Sequence, residues 1–177
     1  MPSDENLNEY LKEVLAGIES ELEKKDIRDK SFKGLSLMRG LILSQLGRNA
    51  EALECFNNVI EMHPEHGVAY LFRSQFYFVK YKLDLAMQDI DMAIQLKGTC
   101  PQNYFHKGEI YRKLKNCEEA IKEYTKAIEL DPSYYEALVE RGYLYNAKGE
   151  EEKSRSDLAL AAKLKREKGG KGSKGKV

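Results

Sequence analysis

Apolar residues recur along this chain at intervals of three and four positions, the spacing that places side chains on one face of an α-helix. One such run comprises Ala120, Ile121, Tyr124, Ala127 and Ile128. Polar and charged residues fill the positions between them, as expected for a helix with one packed face and one face in water. The pattern predicts an all-α protein made of amphipathic helices.

The pattern also repeats over a longer distance, because the chain aligns with itself when it is shifted by 34 residues, as from Gly108 to Gly142. Small residues recur where two helix backbones approach, and large apolar residues recur where the space between helices is filled. Small residues form the columns Gly40, Ser74, Gly108, Gly142 and Ala52, Ala86, Ala120, Ser154, and large ones form Leu43, Tyr77, Tyr111, Tyr145 and Phe56, Ile90, Tyr124, Leu158. Each period is therefore predicted to be a pair of packed helices.

Proline and glycine mark the end of the second helix in three of these periods. Pro64 and Pro132 push the residue before them out of the helical region. Gly98 supplies a glycine stop in the second period. The predicted periods are residues 33–66, 67–100, 101–134 and 135–168.

This pattern resembles the tetratricopeptide repeat, whose signature sets aromatic residues, glycine, alanine and proline at fixed positions. The third period matches the signature best, at Tyr104, Gly108, Tyr111, Ala120, Tyr124, Ala127 and Pro132. The resemblance covers residues 33–168. It implies a right-handed helical-repeat solenoid of four helix-turn-helix units that binds other proteins.

One departure from the signature is consistent, because basic residues replace the leucine that precedes the glycine. These residues are Arg39, Arg73, Lys107 and Arg141. We expect their aliphatic stems to pack while their charges reach solvent.

The fourth period is predicted to end the array, since residues that would contact a fifth unit become charged or small there. The column Leu53, Met87, Ile121 becomes Arg155, and the column Ile60, Ile94, Ile128 becomes Ala162. Uncapped repeats would otherwise expose an apolar face.

Residues 1–32 precede the array and are predicted to form an acidic amphipathic helix over 4–25 and a linker. The apolar stripe of this helix is Leu7, Leu11, Val14, Leu15, Ile18 and Leu22. The favoured interpretation is a helix that caps the first unit. Two alternatives are a helix that occupies the binding groove and a helix that forms a dimer.

In the family that the chain resembles, partners usually bind the concave surface lined by the first helix of each unit. By position, the resemblance implies a groove of three columns: Leu37, Leu71, Phe105, Val139; Leu41, Gln75, Glu109, Tyr143; and Ser44, Phe78, Arg112, Asn146. Its first half is apolar and its second half is charged, which suits an amphipathic helix or an extended peptide. Packing of Leu37 and Leu41 beneath the N-terminal helix is an equal alternative.

One branch of this family holds the carboxylate end of Hsp70 and Hsp90 tails with lysine, asparagine and arginine side chains. The corresponding positions here are Leu37, Leu41, Phe72, Gln102 and His106, or, one unit later, Leu71, Gln75, His106, Glu136 and Glu140. The first set offers no strong clamp, and the glutamates of the second set would repel a carboxylate. Binding of such tails is therefore disfavoured.

The net charge and the composition of the C-terminal tail both argue against nucleic acid or a phosphate group as the ligand. The formal net charge is zero, from 29 basic and 29 acidic residues, which disfavours a generic nucleic-acid binder. Residues 169–177 are predicted to be a disordered basic tail of glycine and lysine. The tail has the glycine–lysine spacing of a phosphate-binding loop, but the strand and helix that such a loop needs are missing.

Cysteine and histidine usage predicts a protein of a reducing compartment without metal, cofactor or catalytic centre. Cys55, Cys100 and Cys117 show no disulfide framework and no metal-binding spacing. His63 and His66 lack further ligands nearby. Since the N-terminus does not resemble a secretory signal and no stretch of about 20 apolar residues occurs, we expect a cytoplasmic protein.

The sequence thus predicts a non-enzymatic adaptor or scaffold that binds a protein or peptide, as a monomer or as a dimer through the N-terminal helix. Two alternatives are a small export or assembly chaperone, and an RNA-associated or ribosome-associated factor that acts through the tail.

Overall fold

The computed structural model describes residues 4–25, 30–96 and 99–171, and every regular element within these ranges is an α-helix. The helices are α1 Asp4–Glu23, α2 Lys30–Gln45, α3 Asn49–Met62, α4 Gly67–Val79, α5 Leu83–Leu96, α6 Pro101–Lys113, α7 Cys117–Leu130, α8 Tyr135–Ala147 and α9 Glu151–Lys171. The helices α3, α5, α7 and α9 begin at intervals of 34 residues. The predicted all-α class is confirmed.

The chain divides into two compact units, unit 1 up to Leu96 and unit 2 from Lys97. Unit 1 contains α1 and the helix pairs α2–α3 and α4–α5, and unit 2 contains the pairs α6–α7 and α8–α9. Each helix pair overlaps one predicted period, although α2 begins before residue 33 and α9 ends after residue 168. Helices α3 and α7 end at Met62 and Leu130, two residues before the prolines that predicted these ends. Gly98, the predicted stop of α5, lies outside the described residues.

The small-residue column allows close contact within each helix pair. A Cβ atom on Gly108 would lie 2.6 Å from the ring of Tyr124, and one on Gly40 would lie 2.7 Å from the ring of Phe56. Both rings are completely buried. In the second pair the small residue is Ser74, whose hydroxyl donates to the carbonyl oxygen of Ala86 at 2.7 Å. A serine is accommodated there opposite an isoleucine, Ile90, rather than an aromatic ring.

Arg73 and Arg141 form ion pairs with carboxylates of the second helix of their own pair. The expectation that their charges reach solvent is therefore wrong. The Arg73 guanidinium donates two hydrogen bonds of 2.8 Å to Asp89, whose side chain is 6% exposed. It donates a third to Asn57 on α3 at 2.7 Å. A guanidinium is planar and carries donors in a fork, so it can satisfy a carboxylate and a second acceptor at once.

Helix α1 is part of the core of unit 1. Leu15 and Ile18 are buried in the same cluster as Leu37 and Leu43, and Glu19 of α1 accepts a hydrogen bond of 3.0 Å from Arg39. The N-terminal part of the predicted stripe is not covered, since Leu7 is 48% exposed. Packing of α1 on α2 is consistent with the capping interpretation.

Helix α9 extends three residues into the tail that was predicted to be disordered from residue 169, so this predicted boundary is too early. The residues that precede this extension, Lys163 to Lys168, have good helix propensity and include no proline. Residues 172–177, the remainder of the predicted tail, lie outside the described residues. None of the described helices is both long enough and apolar enough to cross a membrane.

Candidate functional site

Three of the six predicted groove positions of unit 1 line a small cleft between α2 and α4, which we call groove 1. Groove 1 has a volume of about 190 Å³ and is lined by Leu41, Ser44, Gln45, Phe56, Gln75, Phe76 and Val79. Leu41, Ser44 and Gln75 were predicted to line a binding groove, and the structure brings them together. Val79 at the end of α4 is 65% exposed.

Two other predicted groove residues of unit 1 are buried. Leu37 is 2% exposed within the core that includes α1, and Leu71 is 8% exposed. Neither offers its side chain to a partner in this structure, which agrees with the alternative that Leu37 packs beneath the N-terminal helix. Phe78, a third predicted residue, is half-buried and is not part of the lining of groove 1.

In unit 2 an apolar cleft between α8 and α9, beside Phe105 of α6, involves predicted residues, and we call it pocket 2. Pocket 2 has a volume of about 430 Å³ and is lined by Phe105, Tyr135, Glu136, Val139, Glu140, Leu158, Ala161, Ala162 and Lys165. Phe105 and Val139 are the predicted members. The other predicted positions of unit 2 lie outside this lining, among them Tyr143, which is 58% exposed, and the exposed Asn146.

A charged network lies beside pocket 2 and joins α6, α7 and α8. Arg112 donates to both oxygens of Glu109 at 3.1 and 2.9 Å, and its Nε atom lies 3.5 Å from Glu140. The hydroxyl of Tyr124 also donates to Glu109. The predicted residues Glu109 and Arg112 therefore bind each other.

The network shifts the pKa values of its two carboxyl groups, Glu109 and Glu140, in opposite directions. Burial alone would raise the pKa of Glu109, but the hydrogen bonds from Arg112 and Tyr124 lower that pKa below its usual value. Burial raises the pKa of Glu140, and the nearby charge of Glu109 raises it further against the opposing effect of Arg112. Burial followed by the hydrogen bond to Glu109 also raises the pKa of Tyr124.

Three of the positions that correspond to a carboxylate clamp hold buried side chains. Leu37, Leu71 and His106 are each less than a tenth exposed. Gln102, at another of these positions, is exposed. The two glutamates of the second register, Glu136 and Glu140, line pocket 2.

Sequence reasoning missed the residues that the second helix of a pair contributes. Leu158, Ala161 and Lys165 of α9 line pocket 2, although only first-helix positions were predicted to bind. Tyr124 and Ala127, which occupy the positions of Leu158 and Ala161 in the preceding pair, are completely buried.

The described residues contain no group of histidine, cysteine, aspartate and glutamate side chains that could hold a metal ion. Among them, Cys55 is buried beside Arg39, whose Nη1 lies 3.3 Å from its sulfur. Cysteine here fills the position that holds Asp89 in the second pair.

Comparison with known proteins gives matches to repeat families between residues 37 and 149. Residues 37–103 match a family model described as tetratricopeptide repeat, and residues 108–149 match one described as TPR repeat. RNA polymerase II-associated protein 3 of Mus musculus is 32% identical over 148 residues, which are 83% of this chain and 22% of that protein. The chain thus spans about a fifth of the length of the curated relatives it matches.

Solved structures share the fold. A crystal structure of MamA superposes with a TM-score of 0.72 at 19% identity and covers 90% of this chain and 91% of that one. The first TPR of Spaghetti (RPAP3), solved bound to the HSP90 peptide SRMEEVD, has a TM-score of 0.62 at 26% identity and covers 68% of this chain and 96% of that one. The predicted helical-repeat fold and the resemblance to tetratricopeptide repeats are confirmed.

Proposed function

The chain belongs to the tetratricopeptide repeat family, and on this premise we propose that it is an adaptor or scaffold that binds a peptide or helix of another protein. The role is non-enzymatic and belongs to the cytoplasm. Both matching family models describe repeats and neither describes an enzyme. The related TPR of Spaghetti (RPAP3) was solved with a peptide bound, which supports a polypeptide as the ligand.

Groove 1 is the observation that carries this proposal. Its lining combines apolar side chains from Leu41 and Val79 with the amides of Gln45 and Gln75. Apolar side chains supply affinity when a partner covers them, and side-chain amides can hydrogen-bond to an extended backbone. Such a lining favours a peptide with an apolar anchor.

The mode of binding that we propose differs from a carboxylate clamp. No lysine or arginine lines groove 1, and the clamp positions hold leucine, glutamine, phenylalanine, histidine and glutamate. Recognition of a terminal carboxylate depends on charge-assisted hydrogen bonds from cationic side chains. We therefore expect internal peptide segments to bind, without a requirement for a free C-terminus.

Selection of peptides from a random displayed library tests the proposal. Enriched peptides should carry one or two large apolar residues. Their affinity should fall at least about tenfold when Val79→Asp places a charge in groove 1, since a desolvated charge there has no partner. Leu85→Asp is the matched control, because Leu85 is 39% exposed on α5 and lies outside groove 1.

A library that yields no binders, or binders that tolerate Val79→Asp as well as Leu85→Asp, would contradict the groove assignment. Thermal unfolding of both variants verifies that they remain folded.

A further inference from the structure

The first helix pair has small side chains at two positions where the other three pairs have a large residue and a carboxylate. By column, the large residues are Tyr70, Tyr104 and Leu138, and the carboxylates are Asp89, Glu123 and Asp157. The first pair has Ser36 and Cys55 at these positions. It retains Arg39, the basic residue of the repeat, so a cation remains where a large side chain and a carboxylate are both missing.

A cavity of about 320 Å³, which we call the N-terminal cavity, lies between α1, α2 and α3. Its lining consists of Leu22, Phe32, Ser36, Arg39, Cys55, Asn58, Val59, Glu61 and Met62. The two replaced positions are thus both in the lining, and no lining residue is shared with groove 1. A cavity of roughly 150 Å³ in an apolar protein core is large enough for benzene. The N-terminal cavity can therefore hold an aromatic ring with a short chain.

The second and third pairs show what a ring at this position contacts. The guanidinium of Arg73 lies 5.7 Å from the ring centre of Tyr70, and the Nζ atom of Lys126 lies 5.6 Å from the ring centre of Tyr104. The corresponding residues of the first pair both line the N-terminal cavity: Arg39 and Asn58. The cavity therefore coincides with the place that a tyrosine ring occupies in the next two pairs.

Arg39 does not have the carboxylate acceptor that its equivalents have within their own helix pair. Arg73 and Arg141 each donate two hydrogen bonds to such a carboxylate. Arg39 donates from Nε to Glu19 at 3.0 Å, and its Nη1 atom lies 3.3 Å from the sulfur of Cys55. Its Nη2 atom has no acceptor among the residues that the structure describes. Because a thiol is a weak acceptor, a carboxylate in the cavity would gain charge-assisted hydrogen bonds that Cys55 does not supply.

The rest of the lining favours an apolar group beside that carboxylate. Leu22, Phe32 and Val59 are apolar residues of three different helices. Glu61 is the acidic residue of this lining, and its side chain is exposed. Water and salt screen an exposed charge more than a half-buried one, so Arg39 attracts an anion more strongly than Glu61 repels it.

We propose that the N-terminal cavity binds a small aromatic carboxylic acid. The ring fills the space left by Ser36 and packs on the apolar residues of the lining, beside the guanidinium of Arg39. The carboxylate accepts hydrogen bonds from Arg39, as Asp89 does from Arg73. The ligand thus replaces both side chains that the first pair is missing. Binding of this acid is independent of peptide binding in groove 1.

The experiment uses the full chain and 3-phenylpropionate as the probe, at neutral pH. Two related compounds separate the contributions: 3-phenylpropanamide has the ring without the charge, and propionate has the charge without the ring. Titration followed by NMR gives each Kd and shows which helices respond. The acid should bind at least about tenfold more tightly than either related compound, because each of them forfeits one set of contacts. The amide signals that shift should lie in α1, α2 and α3.

Two variants supply the missing side chains from the chain itself. Ser36→Tyr should abolish binding of the probe by filling the cavity, and Cys55→Asp should weaken it at least about tenfold by giving Arg39 an internal carboxylate. The second pair carries tyrosine and aspartate at these positions, so both changes suit the fold, and thermal unfolding verifies this. Ser156→Tyr, which adds the same ring at an exposed position of α9, is the control and should leave binding unchanged.

Several results would overturn the proposal. These are equal affinities for the acid and its amide, binding that persists in both Ser36→Tyr and Cys55→Asp, and no binding at about 10 mM acid, a concentration at which even a modest ligand of this size would be detected. Loss of binding with Val79→Asp but not with Ser36→Tyr would place the acid in groove 1. That last result would reject the inference and leave the proposed function intact.

Discussion

Arg141 and Asp157 form a two-point ion pair between α8 and α9, with hydrogen bonds of 2.8 and 2.9 Å. Their side chains are 16% and 10% exposed. The remaining guanidinium nitrogen donates to the hydroxyl of Thr125 on α7 at 3.0 Å. One side chain therefore links both helices of its own pair and the second helix of the preceding pair, as Arg73 does through Asp89 and Asn57.

Substituting Asp157 by alanine should destabilise unit 2. The change leaves the Arg141 guanidinium largely buried without its carboxylate, and loss of one partner of such a pair costs about 2–3 kcal/mol at a site that water partly reaches. Chemical denaturation of wild type and variant measures the difference. The double change Arg141→Met with Asp157→Leu is the control, because it removes both charges together and should recover most of the loss. If Asp157→Ala alone were neutral, the pair would not be structural.

Replacing Lys115 by glycine should stabilise unit 2 by about 0.5–1 kcal/mol, because a side chain in the left-handed region is strained. The turns within the four helix pairs place one residue each at positive φ, 34 positions apart: Gly47, Tyr81, Lys115 and Gly149. Lys115 has φ 59° and Gly149 has φ 78°. The thermal midpoint should rise with Lys115→Gly and fall with Gly149→Ala. A lower thermal midpoint for both variants would show that Lys115 is not strained.

Glu109→Gln should lower stability near neutral pH by about 1–2 kcal/mol, since the charged acceptor of Arg112 and Tyr124 is lost. The folded state lowers the pKa of Glu109, so its contribution is present above the pKa of an unfolded glutamate, about 4.3, and is lost as pH falls through the lower folded value. The difference between variant and wild type should therefore shrink on acidification.

Glu140→Gln is the matched comparison in the same network. Because the pKa of Glu140 is raised, the charged form opposes folding at neutral pH and the variant should be at least as stable as wild type there. The two curves should converge as pH falls. Denaturation at several pH values distinguishes the two glutamates, and equal pH dependence for both variants would contradict the network.

Leu15→Ala should detach α1 from unit 1. Leu15 is 4% exposed in the core that contains Leu37, and truncation of a buried leucine costs about 2–5 kcal/mol. Hydrogen exchange should show loss of protection in α1 while α4 and α5 remain protected. Leu7→Ala, at a residue that is 48% exposed on the same helix, should change nothing. Simultaneous loss of protection in α1, α4 and α5 would mean that unit 1 unfolds as a whole.

The helices were predictable because a packed repeat imposes its spacing on the sequence, and the small-residue column at Gly40 and Gly108 meets the rings that it was expected to meet. The ion pairs carried a signal that was not used: an acid follows the basic residue by 16 positions at Asp89, Glu123 and Asp157. Arg39 is the exception, because the residue 16 positions later is Cys55, and Arg39 donates a hydrogen bond to Glu19 of α1 instead.

Exposure within the candidate sites was harder to predict. Leu37, Leu41 and Val79 are all apolar residues of first helices, yet Leu37 is 2% exposed and Val79 is 65% exposed. The difference depends on where α1 packs, and α1 does not follow the repeat. Pocket 2 likewise includes residues of α9, a second helix of a pair, which the first-helix columns did not contain.

The affinity of one library-selected peptide, measured by calorimetry with a free and with an amidated C-terminus, tests the proposed mode of binding most directly. Side chains in groove 1 should hold the peptide, so both forms should bind with the same affinity, and SRMEEVD should not compete. A loss of about tenfold or more on amidation, together with competition by SRMEEVD, would show that the terminal carboxylate is recognised and would contradict the account.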